Sequence, residues 1–196
     1  MIKVANIIKI LQVAEDSGWK TPNTLIWREP AQKIKPFLNE RIYKNSCYIC
    51  ELDFSGIDTV DGSFIDELIV TELKKMNRCQ IDKKIIYLSN LNDVTLYNVE
   101  LVFTKKRPPN EKFYMLIKKT NNDWHLFSEG LEASLLEVLS IIMKGRCLTS
   151  NDIAKQFNIS VPAASVRLKN LFDMRIVNRI EETTATGKEF VYESVF

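Results

Sequence analysis

Cys47 and Cys50 form a CxxC pair, the spacing that most readily suggests metal binding or thiol redox chemistry. The residues around them, SCYICELDF, favour a strand. On a strand, residues three apart point to opposite faces, so the two sulfurs cannot share one metal ion. No second CxxC follows and His125 is the only histidine, so no zinc ligand set assembles. A redox pair belongs on a loop that opens a helix, a context missing here. Asp58, Asp61, Asp66 and Glu67 form an acidic cluster of the kind used in acid–base catalysis or Mg²⁺ binding. Turn formation and the preference of carboxylates for the first turn of a helix account for all four without a site. One histidine gives no basis for a Ser–His–Asp set, and there is no glycine-rich phosphate loop. The expectation is a protein that is not an enzyme, with no metal and no cofactor, in which Cys47 and Cys50 are buried structural thiols.

The elements that must position any site are bounded by composition. The chain has 196 residues, 45% apolar and 27% charged, which is ordinary globular usage and excludes disordered, collagenous and disulfide-scaffold classes. Lys and Arg total 27 against 25 Asp and Glu, a net charge of +2, so any nucleic-acid contact must come from local clusters. The N-terminal MIKVANIIKILQV is broken by Lys3, Asn6, Lys9 and Gln12 and lacks a cleavage site, so it does not read as a signal peptide. No stretch approaches the roughly 20 apolar residues that span a bilayer. A cytoplasmic protein with reduced thiols and no membrane partner is expected.

Up to about Phe127 the chain mixes strand and helix signals. Ile2–Leu11 reads as a strand, although its apolar spacing also suits a helix. Ile34, Phe37, Leu38 and Ile42 predict a helix over Glu29–Tyr43, with Pro36 as a kink or as its true start. Cys47–Phe54 reads as a strand, and SGIDTVDG as a turn. Ser63–Met76 reads as an amphipathic helix with Ser63 as its N-cap. Lys84–Leu88 is a buried parallel strand, Asn92–Tyr97 a short helix and Val99–Thr104 a further strand. A hairpin over Phe113–Lys118 and Trp124–Phe127 turns through TNND. Trp19, Trp27 and Trp124 read as core or hairpin-packing residues. The basic pairs Lys74–Lys75, Lys83–Lys84 and Lys118–Lys119 and the run Lys105–Arg107 read as solvated faces.

From Ser128 the pattern changes to three helices and a hairpin. Leu131, Leu135, Val138, Leu139 and Ile142 line the first helix, and Gly145 stops it. Thr149 caps a second helix through Ile153, Ala154 and Phe157. Ser160 caps a third, with Pro162 in its first turn and Val161, Ala164, Leu168 and Leu171 as its buried stripe. Strands at Ile176–Glu181 and Glu189–Val195 flank the turn TTATGK. Leu148–Glu181 resembles the winged helix-turn-helix DNA-binding fold, through Ile153-Ala154, Ser160, Ala164-Ser165, Leu168, Leu171 and Ile176-Val177 in order. With the stripe buried, Pro162, Ala163, Val166, Arg167 and Asn170 point outward toward a major groove. Thr149 and Ser160 are placed for phosphates, with Arg179 and Lys188 serving from the wing. Against this stands the charge of the region: eight Lys or Arg and nine Asp or Glu from Ser128 onward, a net −1.

The segment LDFSGIDTVDGSFIDELI, Leu52–Ile69, resembles the strand-turn-helix of STAS domains, the fold of anti-anti-sigma factors, and more closely the bacterial STAS-like domains of unknown function. That resemblance implies a partner such as a histidine-kinase-like ATPase, and it places Ser63 where anti-anti-sigma factors are phosphorylated. Gly62 and Phe64 depart from the Asp-Ser-Ser-Gly turn of that family, which alters the partner surface. The expected architecture is α/β: a STAS-like mixed sheet with helices over residues 1–127, and a small winged helix-turn-helix domain over 128–196. The expected function is a bacterial regulator that engages double-stranded DNA and docks a partner or forms a homodimer, with Leu136, Ile141 and Met143 as a second apolar strip that either makes that dimer or packs against the STAS-like domain. The alternative is a partner-switching or scaffold protein acting only through protein contacts.

Overall fold

The computed structural model describes residues 5–79, 84–106, 108, 111–119, 123–184 and 187–196. The chain divides into two compact units, Met1–Glu129 and Gly130–Phe196. The fold is mixed α/β with a mainly parallel sheet in the first unit and a winged helix in the second.

In unit 1, β1 (Asn6–Lys9), β3 (Ile49–Asp53), β5 (Ile85–Ser89) and β6 (Met115–Lys118) lie side by side in parallel, and β7 (Trp124–Phe127) closes the sheet antiparallel to β6. β3 and β5 are buried at every position, as expected of central parallel strands. Ile8, Cys50, Leu52, Ile86, Leu88, Met115 and Ile117 share one core with α1 (Ile10–Asp16), α2 (Arg28–Lys44) and the helices that follow β3. The opposite sheet face carries a buried carboxylate, Glu51, which accepts from the Tyr87 hydroxyl at 2.6 Å and lies 3.5 Å from Lys118 Nζ. Burial, reinforced by this carboxylate, pushes the Tyr87 phenol above its usual range.

Several sequence expectations need correction. The first strand ends at Lys9, because Ile10, Val13 and Ala14 turn into the core as the buried face of α1. Residues Asn92–Thr104 are not a short helix and a strand but one helix, α5 (Asp93–Thr104). Asn92 caps it by accepting from Thr95 N–H at 2.9 Å, and Thr95, Val99 and Phe103 bury at four-residue spacing. The β-branched and aromatic content there misleads, since packing overrides local preference. Pro36 neither starts nor ends α2; it sits exposed within the helix. Of the pair expected to be buried thiols, Cys50 is buried, whereas Cys47 precedes β3 and is only half-buried; Cys147 is exposed. Burial raises the Cys50 thiol pKa. The SGIDTVDG turn contains a two-residue strand, β4 (Thr59–Val60), paired in parallel with β2 (Thr24–Leu25). The hairpin turn residues 120–122 and Lys83 lie outside the described residues, as does Arg107 of the basic run.

The helix expected from Ser63 starts earlier and is broken in the middle. It runs as α3 (Gly62–Ile65), a π-helical turn (Asp66–Val70) and α4 (Thr71–Cys79). Lys35 Nζ donates to the Glu67 carbonyl at 3.2 Å and also meets the Thr71 hydroxyl, supplying partners where the helical ladder shifts register. The N-cap is Asp61, not Ser63. One Asp61 oxygen accepts from Phe64 N–H at 2.8 Å and the other from Trp27 N–H at 2.9 Å. Trp27 is 68% exposed rather than packed, and its backbone sits at φ 74, a strained conformation for a bulky residue. A single carboxylate thus holds both the start of α3 and the strained entry into α2.

Asp61→Ala is expected to destabilise unit 1 by about 1–2 kcal/mol, as loss of an N-cap does, whereas Ser63→Ala changes it by less than about 0.5 kcal/mol. Urea unfolding followed by tryptophan fluorescence checks this, because all three tryptophans belong to unit 1. Equal effects of the two substitutions would contradict the cap assignment.

Candidate nucleic-acid interface

Unit 2 is built from α6 (Ala133–Ile142), α7 (Ser150–Phe157), α8 (Val161–Asp173) and an antiparallel hairpin of β8 (Asn178–Thr184) and β9 (Gly187–Glu193). Leu135, Val138, Leu139 and Ile142 are the buried side of α6, and Gly145 lies beyond its end at φ +81. Leu148 adds a one-residue bridge to β9: its N–H donates to Tyr192 O at 2.9 Å and its carbonyl accepts from Tyr192 N–H at 2.8 Å. This ties the start of the helix-turn-helix to the wing.

Thr149 caps α7 in a reciprocal box: its hydroxyl faces Asp152 N–H, and Asp152 Oδ2 accepts from Thr149 N–H at 2.8 Å. The backbone and side-chain bonds from Thr149 hold the Asp152 carboxyl below its ordinary value of 3.8. Asn158 ends α7 in the left-handed region at φ 50, which asparagine tolerates better than most residues. Ser160 then caps α8, with Pro162 in the first turn. The turn between the two helices is therefore only Asn158–Ser160.

Ala164, Leu168 and Leu171 are wholly buried, as the periodicity predicts, but Val161 is 44% exposed and leaves the stripe. Pro162, Ala163, Val166 and Asn170 are exposed, and Arg167 is half-buried with its guanidinium 5.9 Å from the centre of the Phe157 ring. Ser165 and Lys169 share the exposed side and were legible from the helical period, since they lie three and seven residues after Pro162. Lys169 pairs with Asp173 across one turn.

The wing cations are less available than expected. Arg179 lies between two rings, 4.1 Å from the centre of Phe172 and 4.3 Å from that of Phe190, and so fastens the wing to α8. Lys188 pairs with Glu181, and that hydrogen bond raises its pKa. Asn151 on α7 donates to Glu189 on the wing at 3.3 Å. The tip residues Ala185 and Thr186 are outside the described residues. Of the apolar strip on α6, Leu136 is exposed, and Ile141 and Met143 are half-buried. Ser63, in unit 1, is half-buried at the second position of α3.

A family described as bacterial regulatory protein, arsR family, matches residues 136–179, the span from within α6 through α7 and α8 into β8. No curated protein and no solved structure matches the chain. The match supports a C-terminal winged helix-turn-helix of the DNA-binding regulatory kind, and does not extend to unit 1. Among the described residues no group of three His, Cys, Asp or Glu side chains is arranged to hold a metal, and no helix is long and apolar enough to cross a membrane.

Asp152→Asn is expected to cost unit 2 about 1 kcal/mol at neutral pH, through loss of the box. Because the folded carboxyl has a lowered pKa, its contribution is present above the unfolded value and is lost as pH falls through the folded one. The difference between wild type and variant therefore shrinks below about pH 4. Urea titrations followed by the backbone amide signals of α7 at several pH values check this; a difference that stays constant into acid would contradict it.

Proposed function

We propose that this chain is a bacterial DNA-binding transcription regulator in which unit 2 lays α8 in the major groove and unit 1 docks a protein partner or a second copy. The observation that carries the reading is the regulatory-family match falling on a helix whose buried stripe leaves small and donor side chains outside. In this reading Ala163 and Val166 meet thymine methyls, while Arg167 and Asn170 bond base edges. Pro162 allows close approach of the first turn. The N–H groups behind Thr149 and Ser160 take backbone phosphates. Arg179 and Lys188 reach phosphate only by leaving the ring stack or Glu181, so the electrostatic share of binding is small. One such module reads a single half-site weakly, and two copies are needed for an operator.

On the side of unit 1, a histidine-kinase-like ATPase fits through the STAS-like resemblance. A phosphate on Ser63 would stand beside the capping carboxylate of Asp61 and repel it, so modification would act by loosening the start of α3. The scaffold reading retains one observation in its favour: Lys169, Arg179 and Lys188 are all engaged within the unit, and Gly130–Phe196 carries eight Lys or Arg against eight Asp or Glu, with no net positive charge.

Gel-shift titrations against genomic fragments at about 50 and 200 mM salt separate the two. The regulator gives a retarded complex with a shallow negative salt slope, and Arg167→Ala weakens it about 10- to 100-fold. No complex at the lower salt, or an Arg167→Ala variant equal to wild type, would favour the scaffold.

A further inference from the structure

Helix α5 carries an apolar stripe that faces solvent. Val94, Tyr97 and Leu101 are 56%, 60% and 51% exposed, and their spacing of three and four places them on one face. The opposite face is spent on the core through Thr95, Val99 and Phe103, so the helix is apolar on both sides. Along one flank of the stripe run two exposed carboxylates seven residues apart, Asp93 and Glu100, whose side chains form no ion pair among the described residues. The helix is about 18 Å long, three turns, the length of a helical recognition segment.

The flank decides what covers the stripe. A two-fold antiparallel pairing of α5 with itself keeps each flank against the same flank of the other copy. Centred on Tyr97, it sets Asp93 at the level of the other copy's Glu100 in both directions, two like-charge contacts in a desolvated interface. A partner with positive charge on that side removes the conflict and pairs both carboxylates.

We propose that the α5 face is a docking site for a basic amphipathic helix of another protein, with apolar residues at i, i+3 or i+4, and i+7 and Lys or Arg along one edge. The proposal rests on unit 1 being a docking unit and is independent of DNA binding by unit 2.

The test places a photo-crosslinking amino acid at position 101 of the full chain in its source cells, with parallel chains carrying it at Phe37 or Trp27, which are also exposed. Mass spectrometry identifies the captured segment. The expected product from position 101 is a peptide from another protein with that apolar spacing and net positive charge. Its yield drops on the order of ten-fold with Tyr97→Ala, and equally with Asp93→Lys combined with Glu100→Lys. Capture of a second copy, of an acidic segment, or of nothing at position 101 overturns the proposal. If Phe37 or Trp27 captures a protein when 101 does not, unit 1 still docks a partner and only the α5 assignment fails; if none of the three does, the docking reading of unit 1 fails with it.

Discussion

Complete burial of Ala164, Leu168 and Leu171 is the constraint on which unit 2 turns. A helix of thirteen residues with three side chains locked into a core has no rotational freedom left, so the arc it offers to solvent is fixed. That arc holds Pro162, Ala163, Val166 and Asn170, with Arg167 at its edge. The caps at Thr149 and Ser160 and the left-handed Asn158 set where α8 begins relative to α7, and the Leu148–Tyr192 bridge and the Arg179 ring stack set where the wing lies relative to both. Cap, stripe and wing fix one geometry, and the DNA reading depends on it.

The same interactions limit that reading. A wing that spends Arg179 on two aromatic rings and Lys188 on Glu181 is rigid, but it offers phosphate little free charge. In the proposed reading, DNA binding by such a unit would rest on shape and on contacts from α8 more than on counterion release, and would call for two copies acting together. In unit 1 the comparable device is Asp61, whose two oxygens hold α3 and the strained backbone of Trp27 at once. The Trp27 side chain is left largely in solvent, and α5 adds a second exposed apolar face to the same unit.

Unit 2 was legible because its signals are local. A capping residue, a following hydrophobic period and a proline in the first turn each act within a few residues, and Thr149, Ser160 and Pro162 stand where they were read. Val161 was misplaced because a periodic stripe extends on paper to the first helical position, where the side chain stays 44% exposed. Unit 1 was harder. Lys84–Leu88 announced itself as a buried parallel strand, but Val99–Thr104 has strand-like residues and becomes helix, since Asn92 caps it and Val99 and Phe103 enter the core at helical spacing. The cap at Asp61 was hidden because Ser63 is equally good by type, and what singles out Asp61 is its pair of bonds, one to Phe64 N–H and a long-range one to Trp27 N–H. The short β2–β4 pair and the engagement of Arg179 and Lys188 depend on partners distant in sequence or across a hairpin, which spacing along the chain does not reveal.

The central claim is that the exposed arc of α8 meets the bases. Backbone amide spectra of the full chain, recorded while a duplex found in selection is added, test it most directly. The account predicts that the largest shifts fall on Ala163, Val166, Arg167 and Asn170 and on the first amides of α7 and α8, while the buried Leu168 and Leu171 move little. Shifts confined to unit 1 or to α6, with the α8 signals unmoved at saturating duplex, would contradict it.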